Sequence, residues 1–127
     1  MLIKFSFVFA ALGGGLAVLM GALGAHVLRG KIEGSLLETF QTAVAYQMYH
    51  CLALLAVVVL MLETGRRLSL EIAALAFMLG VFLFCGSLYA LVFTNLKWFG
   101  PITPIGGLSL VFGWLALGIY GCQRLDG

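Results

Sequence analysis

Charge is the scarcest property of this chain: seven Lys or Arg and five Asp or Glu among 127 residues leave four stretches with none at all. These run Phe5 to Leu28, Thr39 to Leu62, Ile72 to Leu96 and Trp98 to Gln123, each 24 to 26 residues long. About 20 apolar residues in helical form cross the ~30 Å hydrocarbon core of a bilayer. The shortage therefore excludes an ordinary soluble domain, which could not hide a composition that is 63% hydrophobic and 9% charged. It also excludes a nucleic-acid surface, since a net charge of +2 is small and the only adjacent basic pair is Arg66 and Arg67.

Cysteine is sparse too. Cys51, Cys85 and Cys122 have no CxxC spacing and sit inside the apolar runs, so they read as small packing residues rather than as disulfides or a zinc site. Short alternating segments are missing as well, which removes a transmembrane β-barrel. Backbone polar groups in hydrocarbon must be satisfied internally, so continuous apolar runs mean helices. The expected fold is all-α: one integral membrane domain forming a four-helix bundle, with helices over about 5–28, 36–62, 70–94 and 104–123. Lys4, the first run and the tract Gly21 to Ala25 imitate a signal peptide. The run is longer than a signal core, and retention as a span is the expectation.

Four spans place both termini and the second loop on one side with Lys4, Arg66, Arg67 and Arg124, against Arg29, Lys31 and Lys97 on the other. The positive-inside rule then favours cytoplasmic termini in a multi-pass protein of the bacterial inner membrane.

Small residues recur on the first helix as Ala10, Gly13, Gly14, Ala17, Gly21 and Gly24, spaced by threes and fours, and on the third as Gly80, Ser87 and Thr94. Such faces let another helix come close, within the bundle in the first instance and across a homo-oligomer seam in the second. Ser35 and Glu38 stand in the S-x-x-E arrangement of a capping box, Ser69 is the expected cap of the third helix, and Thr103 with Pro104 is the expected start of the fourth. Trp98 reads as an interfacial anchor.

On the second helix, turning 100° per residue gathers Glu38, Thr39, Thr42, Tyr46, Tyr49 and His50 within an arc of about 120°, opposite Leu37, Phe40, Val44 and Met48. This half-helix is expected either to lie partly in the interface or to turn its polar stripe toward the other helices. The candidate polar site is accordingly His26, Glu38, Thr42, Tyr46, Tyr49 and His50. A haem or metal held by His26 and His50 is one reading, opposed by their different depths and the lack of a third ligand. A small oligomeric transporter or channel is another, with too few helices per chain to enclose a pathway. Catalysis finds no support, because no nucleophile has a placed base and no intramembrane carboxylates are paired. What remains is a non-enzymatic scaffold or accessory subunit without cofactor or metal, whose grooves take membrane lipid or another membrane protein.

Four blocks in order carry a likeness: GALGAH (Gly21 to His26), LETFQTAVAYQMYH (Leu37 to His50), FCGSLYALVFT (Phe84 to Thr94) and GPITPIGGLSLVFGW (Gly100 to Trp114). Together they resemble the small membrane proteins of domain of unknown function 423, which includes the transmembrane protein 256-like proteins. The chain departs from that pattern at Leu23, where an aromatic is common, and at Cys85, where Ser is common; both keep the packing character. The resemblance implies a four-helix protein of the bacterial cytoplasmic membrane with relatives in mitochondria. It implies no catalytic residue.

Overall fold

Each charge-free run forms one helix in the structure, a computed structural model that describes residues 1–127. The helices are α1 (Leu2–Leu28), α2 (Gly34–Thr64), α3 (Leu68–Thr94) and α4 (Ile102–Leu125), the last preceded by a 3-10 turn over Lys97–Phe99. There are no strands. All four are long and apolar enough to cross a membrane. The connections are short, and each turns where the backbone takes a positive φ: Gly30 at 81°, Gly65 at 81° and Asn95 at 56°. Asn95 closes α3 by donating its N–H to Leu91 O at 2.8 Å, the arrangement that suits a left-handed C-terminal residue.

The helix starts lie earlier than the caps read from the sequence, and all three caps are corrected. Helix α2 begins at Gly34, so the N-cap is Glu33 and the Ser35–Glu38 capping box does not form. Ser35 is already inside the first turn, where its carbonyl accepts from Thr39 Oγ1 at 3.0 Å. Helix α3 begins at Leu68 after an extended Arg67, which leaves Ser69 Oγ buried without a partner. Glu71 does occupy the first turn and pairs with Arg66 at 2.5 Å. Helix α4 begins at Ile102, so Thr103 is free to turn sideways to Ser87 and does not cap. Pro104 still falls within the first turn, where N–H groups have no intrahelical acceptor.

Helices α2 and α3 make the centre of the bundle: 44% of each apolar window is buried, against 17% for α1 and 22% for α4. Helix α1 packs along α2, and α4 along α3. The core joins Leu54, Val57 and Met61 of α2 to Leu70, Ala73, Ala74 and Phe77 of α3 and to Leu110 of α4. Along α4 the buried positions are Gly106, Leu110, Gly113, Ala116 and Tyr120, spaced by threes and fours so that one stripe stays on α3. The glycines there are contact points. A Cβ at Gly106 would run into the backbone of Phe84, and one at Gly113 into the Phe77 ring at 2.6 Å. The turn of α3 that receives Gly106, Val81–Cys85, is widened to π geometry.

On α1, Ala10 and Ala17 are buried, a Cβ at Gly13 would stand 2.6 Å from Cys51 Sγ, and one at Gly24 would stand 2.9 Å from the Phe40 ring. Gly21 has Val44 at 3.5 Å, whereas Gly14 faces nothing within 4 Å. On α3, Gly80 meets Leu110 of α4, and Ser87 bonds to Thr103.

A reporter fused after Gly127 is expected on the cytoplasmic side and one inserted between Gly30 and Gly34 on the opposite side. Signals from the same side would contradict the three spans, an odd number, between the two reporters and with them the four-span bundle; exchanged signals would reverse the orientation and keep the bundle.

Candidate functional site: the polar ties between the helices

Among the buried positions of α2, Phe40, Ala43, Gln47, His50, Leu54, Val57 and Met61 follow a strict alternation of threes and fours, with Cys51, Ala53 and Val58 flanking it; this stripe is the seam facing the other helices. Two of its members are polar. Gln47 donates Nε2 to Gly13 O at 2.7 Å and accepts from Tyr89 OH on Oε1 at 2.7 Å. One amide thereby joins α1, α2 and α3. Gly13 suits the approach, since a Cβ there would stand 2.6 Å from Cys51 Sγ and displace that side chain.

His50, one turn further, takes both of its bonds from the protein. Trp114 Nε1 reaches His50 Nε2 at 3.1 Å, and His50 Nδ1 lies 2.7 Å from Tyr46 O. Indole N–H can only donate, so Nε2 must accept and Nδ1 must carry the proton that goes to the carbonyl. The bonding pattern thus selects the neutral Nδ1–H tautomer. Phe77 buttresses this pair, its ring 5.3 Å from Trp114 and 5.7 Å from His50 between centroids. Tyr46 stacks on Phe84 at 4.9 Å.

Three further ties complete the set. Ser87 Oγ lies 2.6 Å from Thr103 Oγ1, Ser109 Oγ donates to Ala76 O at 2.8 Å, and Tyr120 OH donates to Thr64 Oγ1 at 3.1 Å.

Of the residues singled out from the sequence, Tyr46, Tyr49 and His50 come together, lining an open groove of about 420 Å³ with Gly107, Leu110, Val111 and Trp114 of α4. The others do not join them. Glu38 and Thr42 are exposed on the outer face, where Thr42 Oγ1 donates back to Glu38 O at 3.0 Å, and His26 is exposed in the last turn of α1. The polar arc therefore points mostly outward, because the seam through Phe40, Ala43 and Gln47 takes the inward side. The amphipathic first half of α2 is continuous with its apolar second half. Gly34–Thr64 is one uninterrupted helix, and Phe40 near its start is fully buried against Tyr89 and Phe93.

His26 and His50 do not form a shared site. His50 is 16 residues into α2, which leaves roughly 20 Å along the bundle between the two rings. The Nε2 lone pair of His50 is directed at the Trp114 N–H, and no three His, Cys, Asp or Glu side chains converge anywhere. Gln47 was missed by the sequence reading, although the 3–4 alternation running back from Met61 through Leu54 passes through it.

The model of the family described as "Protein of unknown function (DUF423)" matches residues 20–107. A UPF0382 membrane protein of Staphylococcus aureus (strain bovine RF122) is 42% identical over 114 residues, 90% of this chain and 92% of that protein. The UPF0382 inner membrane protein YgdD of Escherichia coli K12 is 39% identical over 124 residues, 96% and 92% of the two chains. The UPF0382 membrane protein YwdK of Bacillus subtilis is 37% identical over 122 residues, covering 96% and 99%. No solved structure matches the chain. With four membrane-length helices, and a family match spanning the heart of the bundle from Gly24 to the Gly106 contact, this multi-pass inner-membrane protein belongs to the DUF423 family.

Proposed function

We propose that the chain is a non-enzymatic scaffold or accessory subunit that binds lipid or a membrane partner through the outer faces of α1 and α4. The observation that supports this reading is where the interior polar groups are directed. Gln47, His50, Ser87, Ser109 and Tyr120 each take part in a bond to another helix. Their hydrogen bonding holds the bundle together, whereas a conducting path needs polar groups facing a continuous opening. An enzyme needs a base with a free lone pair beside a nucleophile, and the lone pair of His50 is engaged by Trp114.

The outer faces differ in kind. Gly14 and Gly15 on α1, and Gly118 and Gly121 on α4, have no atom within 4 Å of where a Cβ would stand. Bare backbone at these positions leaves room for a helix from another chain.

Extraction in a mild detergent, followed by sizing and mass spectrometry, tests the proposal. The chain should run as an assembly larger than the 13.6 kDa monomer, with a stoichiometric companion or a second copy. Gly14→Leu should break that assembly with no fall in melting temperature, because a Cβ at Gly14 would meet no atom of a neighbouring helix within 4 Å. A monomer without companions that also carries out solute flux or turnover in proteoliposomes would replace this reading with a transporter or an enzyme.

A further inference from the structure

At the end of the bundle that carries both termini, Arg67 from the start of α3 and Arg124 from the last turn of α4 stand on the wall of one polar pocket of about 280 Å³. Thr64, Tyr120 and Gln123 complete its sides, and Gly127 closes its rim. Neither arginine has an ion-pair partner, since Arg66 takes Glu71 and that is the one salt bridge in the chain. The remaining carboxylate side chains at this end are Glu63, which is not on the pocket wall, and Asp126, which lines a neighbouring groove beyond Gln123. Two guanidinium groups thus share a pocket with no side-chain carboxylate opposite them; against them its wall holds only the main-chain carboxylate of Gly127, so the pocket is cationic by one charge.

A second space adjoins that pocket. Arg67 and Gln123 also line an apolar groove of about 590 Å³ between α3 and α4, walled by Leu68, Ile72, Phe112, Leu115 and Ile119. A cationic end joined to an apolar trough, on a helix pair that spans the bilayer, matches a molecule with an anionic head and a hydrocarbon tail. Guanidinium is suited to the head because its fork of N–H groups fits a phosphate. A zwitterionic lipid brings its own cation to a pocket that is already cationic on balance.

We propose that this end of the bundle holds one anionic phospholipid, its phosphodiester between Arg67 and Arg124 and an acyl chain along the α3–α4 groove. This rests on the lipid half of the proposed function and is independent of assembly, so the Gly14→Leu chain should retain the lipid even when its partner is lost.

The full chain in nanodiscs of equal phosphatidylglycerol and phosphatidylcholine, stripped stepwise with detergent and weighed by native mass spectrometry, tests it. One phosphatidylglycerol per chain should remain longest. Arg67→Gln and Arg124→Gln should each weaken retention about fivefold, the worth of one arginine beside an anionic surface, and the pair roughly twenty-five-fold. Arg67→Lys should keep more lipid than Arg67→Gln, whereas Arg29→Gln at the opposite end should change nothing. Equal retention of the two lipids, displacement of the lipid by millimolar inorganic phosphate, or an equal loss in Arg29→Gln would each overturn the proposal; the second would point to a free anion.

Discussion

Gly106→Ala is expected to cost about 3 kcal/mol, the upper end for overpacking a filled interior. One methyl group suffices because of what it meets. The Cβ would fall against the backbone nitrogen of Phe84, with Phe84 Cα at 2.7 Å and the Leu83 carbonyl carbon at 2.8 Å. None of these atoms can rotate away, so α3 and α4 must separate along the stripe that also holds Leu110, Gly113 and Ala116. Gly80→Ala tests the same interface from the other side, but there the methyl meets mainly the Leu110 side chain, which can change rotamer. Gly118→Ala meets nothing within 4 Å and should be neutral or slightly stabilising, since alanine favours helix over glycine. Denaturant titration of the three variants should rank them in that order. Equal midpoints for Gly106→Ala and Gly118→Ala would remove the claim that helix contact sets the glycine requirement.

That contrast shows what the sequence could and could not tell. Four spans were legible because hydrocarbon thickness converts a charge-free run directly into a helix, and the runs bounded by Lys4, Arg29, Glu38, Glu63, Glu71, Lys97 and Arg124 leave little freedom. Helix starts were less legible, since Gly34, Leu68 and Ile102 extend the helices beyond the residues that look like caps. A capping pattern reports a local preference. Where the adjoining turn places Glu33, Arg67 or Pro101 at the N-cap, Ser35, Ser69 and Thr103 are left inside the helix.

The candidate site was half legible for a related reason. Polarity drew the reading to the arc from Glu38 to His50, but an amphipathic arc does not say which of its edges is buried. The edge at His50 faces inward while Glu38 and Thr42 face out. Gln47 lies next to that arc and was passed over, although it belongs to the seam that runs from Phe40 to Met61. Its partners, Gly13 O and Tyr89, are 34 and 42 residues away in sequence. No local pattern pairs them; the approach of α1 to α2 at a glycine does.

Gln47→Leu supplies the second large effect, and its size depends on which group is stranded. Gly13 O is a helix carbonyl with a second lone pair and an intrahelical donor, so losing the amide costs it little. Tyr89 OH has Gln47 Oε1 as its partner, and the substitution leaves that hydroxyl facing apolar groups. An unpaired hydroxyl costs about 1–3 kcal/mol when fully buried; Tyr89 is half-buried and cross-helix bonds in membranes sit toward the lower end, so about 1 kcal/mol is expected. Tyr89→Phe strands the amide oxygen in the same way. Removing both partners together strands nothing, and replacement of a whole pair by apolar groups can be nearly neutral. The double variant Gln47→Leu/Tyr89→Phe should therefore be more stable than the sum of the two single losses, by roughly 1 kcal/mol of coupling in the cycle. Unfolding midpoints of the four chains measure that coupling directly. Losses that simply add would mean that the amide and the phenol do not share a bond, and that α1, α2 and α3 are held by packing alone at this depth.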